Sequence, residues 1–230
     1  MSSASIIVAA IRLSSVDSVL LKTMQAQALQ HDKIYSRTVG TVHAGNVKTS
    51  RKRRLRSALA WCCLVYLARE SFSCQRFPGQ VTFSPTGKPL HPSLHFSLSH
   101  SVDTVVVAMS QVAAVGVDVE DLENATQLPA QRGYCAANER LPAGLAPLDI
   151  WTRKEAVIKA AGAGLDAMRQ VSLDDHGARF AQRHWSVVSL TLPWPCSCHL
   201  ASTEAMPLTL LLPEPATLLA AQVGPPSLLG

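Results

Sequence analysis

The stretch Val115-Gly116-Val117-Asp118-Val119-Glu120 decides how the rest of this 230-residue sequence is interpreted. Valine at every second position predicts a strand, because β-branched side chains suit a pleated sheet and alternate between its faces. The valines then share one face, and Gly116, Asp118 and Glu120 share the other. The two carboxylates lie roughly 6.5 Å apart by Cα, so both can reach one hard cation. Gly116 leaves room for something bulky to approach this face. Taken alone, the alternation favours a half-exposed strand with one polar face.

The second informative stretch begins Trp151-Thr-Arg-Lys154-Glu155 and continues through Lys159 towards two glycines. Good helix formers and the absence of internal proline predict a helix that ends at Gly162 or Gly164. Trp151, Glu155 and Lys159 are spaced i, i+4, i+8 and therefore line one face of that helix. A third carboxylate and an ammonium can thus face the strand, although Glu155 and Lys159 also fit an ordinary helical ion pair.

Two blocks upstream, Phe96-Ser-Leu-Ser-His100-Ser101 and Gly87-Lys88-Pro89, complete a pattern. The four blocks, in this order, resemble the 4'-phosphopantetheinyl transferases, and in particular the single-chain type similar to the surfactin-synthetase activator. The resemblance implies an α+β fold of two pseudo-symmetric α/β halves. We expect the halves at residues 1–112 and 113–230, with the second half carrying the metal site and the active site at their interface.

The resemblance also implies a reaction. This family transfers 4'-phosphopantetheine from coenzyme A to a serine of an acyl or peptidyl carrier protein and releases adenosine 3',5'-bisphosphate. The implied cofactor is Mg²⁺, and coenzyme A is the co-substrate. We expect Glu155 to act as general base and Lys159 to stabilise charge on the diphosphate, whereas Trp151 packs. The implied metal ligands are Asp118, Glu120 and Glu155. The implied coenzyme A contacts are Lys88, Ser99, His100, Lys154, Lys159 and Arg54.

The region before these blocks has a simple predicted order. We expect a strand at 5–13, a helix at 16–30, a loop at 31–50, and a helix that opens at Arg51 and runs to about Ala68. By resemblance the basic segment 51–56, and Arg54 within it, contacts phosphate; a solvated helix start or a nucleic-acid patch are the alternatives. Lys88, between glycine and proline, is expected in a rigid, exposed turn, and Glu139 is expected to be solvated.

The remaining elements are predicted from apolar alternation. Strands ending at His100, Met109 and Glu120 are expected to form an antiparallel meander, and residues 213–230 are expected to be a flexible tail. Further strands are expected at 81–83, 171–173, 185–192 and 198–201.

Composition narrows the function classes. Hydrophobic residues make up 47% of the chain, which supports a substantial core and argues against disorder. The net charge of +5 favours anionic partners, which are nucleic acid, acidic proteins, anionic cofactors or membranes, and composition does not choose among them. The six cysteines lack the spacing of a disulfide framework or zinc site, and no signal or membrane segment is evident. We therefore expect a cytoplasmic monomer that binds neither membrane nor nucleic acid. The alternatives are a non-catalytic carrier- or nucleic-acid-binding protein with the same fold, and a metal-dependent phosphohydrolase.

Overall fold

Among the described residues, two large sheets, a two-stranded sheet of Thr82–Phe83 and Pro89–Leu90, and four α-helices make up the architecture, and the α+β expectation is confirmed. The computed structural model describes residues 4–29, 51–128, 133–136 and 139–223, so the predicted loop at 31–50 lies outside the described residues. The helices are α1 (Ser18–Leu29), α2 (Arg51–Tyr66), α3 (Pro147–Ala161) and α4 (Pro215–Val223). The strands are β1 (Ile6–Arg12), β2 (Thr82–Phe83), β3 (Pro89–Leu90), β4 (His95–His100), β5 (Thr104–Ser110), β6 (Val115–Asp121), β7 (Ser172–Asp174), β8 (Gly177–Phe180), β9 (Arg183–Ser189), β10 (Cys196–Ser202) and β11 (Leu208–Leu211).

The first sheet has the strand order β11-β1-β5-β4 and is covered by α2. After its basic first turn, α2 is apolar on all sides, and every residue from Ser57 to Val65 is buried. A helix of this kind needs neighbours all round. The sheet supplies one side, and α1 and α4 supply the others.

The second sheet has the order β6-β10-β9-β8-β7, and α3 lies across β6 and β10. The alternating valines of β6 face the other way, into a core shared with β1, β5 and β10. The two faces of β6 therefore differ as expected from the alternation. Val115, Val117 and Val119 are fully buried on one face, and the opposite face contacts α3.

The two sheets are built by the same connectivity. In each, a first strand leads to a helix and then to a hairpin whose second strand pairs antiparallel with the first: β1, α2, β4, β5 and then β6, α3, β9, β10. The boundary at residues 112 and 113 stays a prediction. The first sheet also takes a strand from the end of the chain, because β11 pairs in parallel with β1.

The tail prediction is wrong for residues 215–223, which form α4. Pro215 stands at the first position of this helix, where its fixed φ is favourable and its missing N–H is not needed. Leu218 is buried in the core beside α2, and the Gln222 amide donates to the Cys62 carbonyl at 3.1 Å. Apolar contacts rather than local sequence signals therefore order this segment.

The meander prediction is wrong at its third strand. β4 and β5 pair as expected, but β6 pairs with β10 in the other sheet. β6 lies beside β4 without a backbone ladder, and side chains of β4 make the connection instead. Within the described ranges, no helix combines the length and apolar character that crossing a bilayer requires. A cytoplasmic location and a monomeric state stay predictions.

Candidate active site

A cleft of about 640 Å³ lies where the two sheets meet, and residues of both halves line it. This is the size at which a protein encloses much of a small-molecule ligand. The predicted site residues that the structure brings to this cleft are Lys88, Ser99, His100, Asp118, Glu120, Glu155 and Lys159.

Close packing of α3 on β6 assembles the acidic part of the cleft. A Cβ built on Gly116 would lie 2.1 Å from the Ala156 carbonyl oxygen and 2.3 Å from the Ala160 nitrogen. Only a residue without a side chain allows this approach. The bulky neighbour expected at Gly116 is therefore the backbone of α3 itself, and the approach brings Glu155 and Lys159 over Asp118.

The ends of α3 agree with the sequence signals. Pro147 occupies the first turn, and Gly162 ends the helix with φ of 73°, a left-handed conformation that glycine adopts without strain. The expectation of a stop at Gly162 or Gly164 is thus resolved in favour of the first. Trp151 packs against Tyr134 with ring centroids 5.3 Å apart.

A ladder of serine hydroxyls joins β4 to β6. The Ser97 hydroxyl accepts a hydrogen bond from the Val117 N–H at 3.1 Å, and the Ser99 hydroxyl donates to Asp118 Oδ1 at 2.7 Å. The Ser101 hydroxyl donates to Glu120 Oε2 at 2.8 Å. Ser97 and Ser99 are alternate residues of β4, and Ser101 follows directly after the strand. All three side chains face β6, replace the missing backbone ladder and hold Asp118 and Glu120.

Lys159 lies between two carboxylates. Its ammonium donates to Asp118 Oδ1 at 2.6 Å and to the Ser99 hydroxyl at 3.0 Å, and it lies 3.2 Å from Glu155 Oε1. Burial opposes the charge, but the two carboxylates outweigh it and raise the pKa of Lys159. Asp118 differs, because burial and repulsion by Glu155 exceed its attraction to Lys159 and raise its pKa to about 7. Within the described residues, the Lys159 ammonium thus serves both Asp118 and Glu155.

Two observations on Asp118 fit a divalent cation. Its Oδ2 atom is buried and has no hydrogen-bond partner among the described residues. Its repulsion with Glu155 is the kind of interaction that a second positive charge would relieve. Magnesium takes few carboxylates and completes its shell with water and substrate phosphate. In the parts of the chain that the structure describes, no three His, Cys, Asp or Glu side chains cluster closely enough to form a complete metal site. The ligand set Asp118, Glu120 and Glu155 therefore stays a prediction.

The other end of the cleft is basic. Burial, followed by the nearby charge of Arg56, lowers the pKa of His100 to about 4, and Lys159 and Arg53 contribute in the same direction. Burial alone would not attract an anion, but the positive charges of Arg56, Lys159 and Arg53 around this histidine favour one. The structure corrects the assignment of Arg54, which is exposed and does not line the cleft, whereas Arg53 does. Arg53, Ser57 and Trp61 line the cleft at i, i+4 and i+8, a spacing that could have identified Arg53 from the sequence.

The structure also corrects the placement of Lys154. Its side chain is fully buried, and its ammonium pairs with Glu139 Oε2 at 2.6 Å and with the Val171 carbonyl. Lys154 follows Arg153 on the helix and points away from the Glu155 face, because neighbouring helical residues differ by about 100°. Glu139, expected to be solvated, has only 4% of its side chain exposed. The pair fastens α3 to the segments around residues 139 and 171 and does not reach the cleft.

A second polar network, which the sequence did not predict, lies under the first half of α3. Thr152 Oγ1 lies 2.8 Å from both His199 Nδ1 and Ser197 Oγ, and Ser189 Oγ lies 3.0 Å from His199 Nε2. Ser197 in turn donates to Asp149 Oδ1 at 2.7 Å. Burial lowers the pKa of His199 to about 4. The network satisfies a buried neutral histidine and fixes α3 on β10.

Comparison with known proteins agrees with this geometry. Residues 114–207, which contain β6 and α3, match the family model described as the 4'-phosphopantetheinyl transferase superfamily. This part of the chain is similar to that superfamily. The 4'-phosphopantetheinyl transferase AcpT of Salmonella typhi is 29% identical over 154 residues, which cover 60% of this chain and 70% of the relative. AcpT of Salmonella typhimurium strain LT2 matches equally.

A third relative matches over a shorter stretch. The 4'-phosphopantetheinyl transferase psf-1 of Bacillus pumilus is 37% identical over 90 residues, or 34% of this chain and 38% of the relative. All three relatives are named as transferases, so the expectations of family and of a transferase enzyme are confirmed.

Proposed function

We propose that this transferase moves the 4'-phosphopantetheine group of coenzyme A to the hydroxyl of a serine in an apo acyl or peptidyl carrier protein. The proposed reaction depends on Mg²⁺ and releases adenosine 3',5'-bisphosphate. The observation that supports it best is the cleft in which acids of β6 and α3 meet the Lys159 ammonium beside a basic end.

Asp118 and Glu155, with Glu120 next along β6, are the residues that would hold Mg²⁺. When bound, the ion would neutralise charge on the diphosphate as the phosphoanhydride bond breaks. The unpartnered Oδ2 of Asp118 supports its role as a ligand.

The proton of the carrier serine needs an acceptor as its oxygen attacks phosphorus. Glu155 suits this role, because its carboxylate lies in the cleft on the face of α3 that meets β6. A positioned base contributes about 10²–10⁴-fold to the rate. Lys159 would orient the diphosphate and stabilise negative charge on it, and the position of its ammonium between the same acids supports this role.

Charge at the other end of the cleft suits the nucleotide. Arg53 and His100 line that end, and an anion there would favour protonation of His100. We assign phosphate contacts of coenzyme A to these two residues and to the Ser99 hydroxyl. The positive net charge of the chain also fits association with acidic carrier proteins.

Mass spectrometry of an apo carrier protein tests the reaction. Incubation with coenzyme A, Mg²⁺ and the transferase should add one phosphopantetheine mass, and Asp118→Asn should abolish that gain. The matched control is Asp174→Asn, because Asp174 is a partly exposed acid of β7 outside the cleft. Mg²⁺ should raise the melting temperature of the wild type and of the control but leave that of Asp118→Asn unchanged. No mass gain on any of a panel of carriers, together with normal folding, would favour the non-catalytic binding alternative.

A further inference from the structure

The amine of Lys88 is bonded to the end of α3. It donates to the carbonyl oxygens of Lys159 at 2.6 Å and of Ala160 at 2.7 Å. Two residues earlier, the Thr86 hydroxyl donates to the carbonyl of Gly162 at 2.9 Å. Three hydrogen bonds therefore connect one turn of the first half to the last turn of the helix that carries Glu155 and Lys159.

These bonds have a clear physical basis. The last carbonyls of a helix lack intrahelical donors and carry the negative end of the helix dipole, so an ammonium is a favourable partner. Lys88 is partly buried rather than exposed as the sequence suggested, and burial lowers its pKa to about 8. If the Lys88 amine bound another partner, the carbonyls of Lys159 and Ala160 would lose its hydrogen bonds.

The turn that carries Lys88 is itself held in place. The Gly87 N–H donates to the Ser84 carbonyl at 2.9 Å, and the Lys88 N–H donates to the Ser84 hydroxyl at 3.0 Å. Gly87 has φ of 83°, and Pro89 follows in β3. Because the turn has little freedom, it can act as a fixed support for the helix end.

Lys159 connects this support to the chemistry of the cleft. Its carbonyl accepts from Lys88, while its own ammonium contacts Asp118 at 2.6 Å. We propose that Lys88 is a positioning residue, which together with Thr86 fastens α3 and so sets the position of Lys159, and that it is not a direct ligand of a coenzyme A phosphate. Only the expected effect on kcat and KM rests on the proposed function; the fastening of α3 by Lys88 and Thr86 does not.

Paired substitutions separate positioning from phosphate binding. Lys88→Met keeps the aliphatic stem and removes the donors, whereas Thr86→Val removes one uncharged donor. For positioning, we expect kcat to fall by about tenfold in Lys88→Met and about fivefold in Thr86→Val, with the KM for coenzyme A within about twofold of wild type. Lys22→Met is the matched control, because Lys22 is an exposed lysine of α1; it should retain wild-type kinetics.

A phosphate ligand predicts a different pattern. Lys88→Met would then raise the KM for coenzyme A by about tenfold or more. If Lys88 binds the 3'-phosphate, the variant would also lose preference for coenzyme A over 3'-dephospho-coenzyme A. Thr86→Val would have wild-type kinetics. That pattern would overturn the proposal. Should Lys88→Met fail to fold by circular dichroism, Thr86→Val alone decides, since a silent Thr86→Val contradicts a fastening role.

Hydrogen exchange tests the contact without any substrate. The amides of Gly162 and Ala163 donate to carbonyls in the last turn of α3, and both variants should exchange them several-fold faster than wild type. Unchanged exchange at these amides in both variants would overturn the proposal. Because this measurement uses neither coenzyme A nor a carrier protein, its result is independent of whether the proposed transfer reaction occurs.

Discussion

Replacing Gly116 by alanine should separate α3 from β6 and thereby disrupt the cleft. The new Cβ would lie 2.1 Å from the Ala156 carbonyl oxygen, whereas ordinary contact begins near 3.4 Å, so the helix backbone must retreat by about 1.3 Å, the difference of these values. The three nearest atoms are all main-chain atoms of α3, which cannot turn away as a flexible side chain would.

This retreat has two measurable results. A shift of about 1.3 Å would lengthen the 2.6 Å contact between Lys159 and Asp118 to about 3.9 Å, beyond hydrogen-bonding distance. Because a misplacement of about 1 Å can cost about 10²-fold, we expect carrier modification to slow by about two orders of magnitude. Overpacking should also lower the free energy of unfolding by about 1–3 kcal/mol.

Two assays on one set of variants check this reasoning. Urea denaturation gives the free energy of unfolding, and the mass gain of an apo carrier over time gives the rate. Gly144→Ala is the control: its φ is 80°, so alanine is strained there, but no atom within 4 Å would be displaced. We expect it to lose a comparable stability and little activity. If Gly116→Ala retained wild-type rate and stability, the account of how α3 and β6 form the cleft would be refuted.

Three further predictions concern buried charges. In metal-free protein, the raised pKa of Asp118 means that the folded state binds more protons than the unfolded chain between about pH 4 and 7. The melting temperature of the wild type should therefore fall, relative to that of Asp118→Asn, as the pH rises from about 4 to 7. Parallel curves of melting temperature against pH would contradict this. The lowered pKa of His199 gives the opposite pH dependence, because the unfolded chain takes up a proton that the folded state does not. The free energy of unfolding should decrease by up to about 3 kcal/mol as the pH falls from about 6.5 to 4. Urea titrations of His199→Gln should not show this loss. Lys154→Met should lower the free energy of unfolding by about 3–5 kcal/mol, because it leaves Glu139 buried without its cation. The double variant with Glu139→Gln should lose less stability than the sum of the two single losses. Simple additivity of these losses would argue against the ion pair.

Local patterns predicted the elements that carry the site. The valine alternation of β6, the glycine at the end of α3 and the i, i+4 spacing of Glu155 and Lys159 each depend on the geometry of one element, and each is found as expected. The errors at Arg54 and Lys154 have a common cause. A motif identifies residue types but not the direction of each side chain. Side chains of neighbouring helical residues point about 100° apart, so one faces the cleft while the next faces the core or the solvent.

Other features depend on partners that are distant in the chain. β11 pairs with β1 across about 200 residues, and no local signal in Leu208–Leu211 indicates that pairing. The serine ladder likewise depends on which strand lies beside β4, and alternation within β4 does not reveal this. Lys88 was expected to be exposed because its neighbours indicate a turn, whereas its burial depends on the end of α3.

The return of β11 and α4 to the first sheet makes the two halves inseparable by a single cut. A fragment that stopped at residue 112 would keep β1, α2, β4 and β5 but would leave one edge of β1 unpaired and remove Leu218 from the core. Such an edge invites association with other chains. The first sheet is therefore completed only after the chain has passed through the whole of the second sheet.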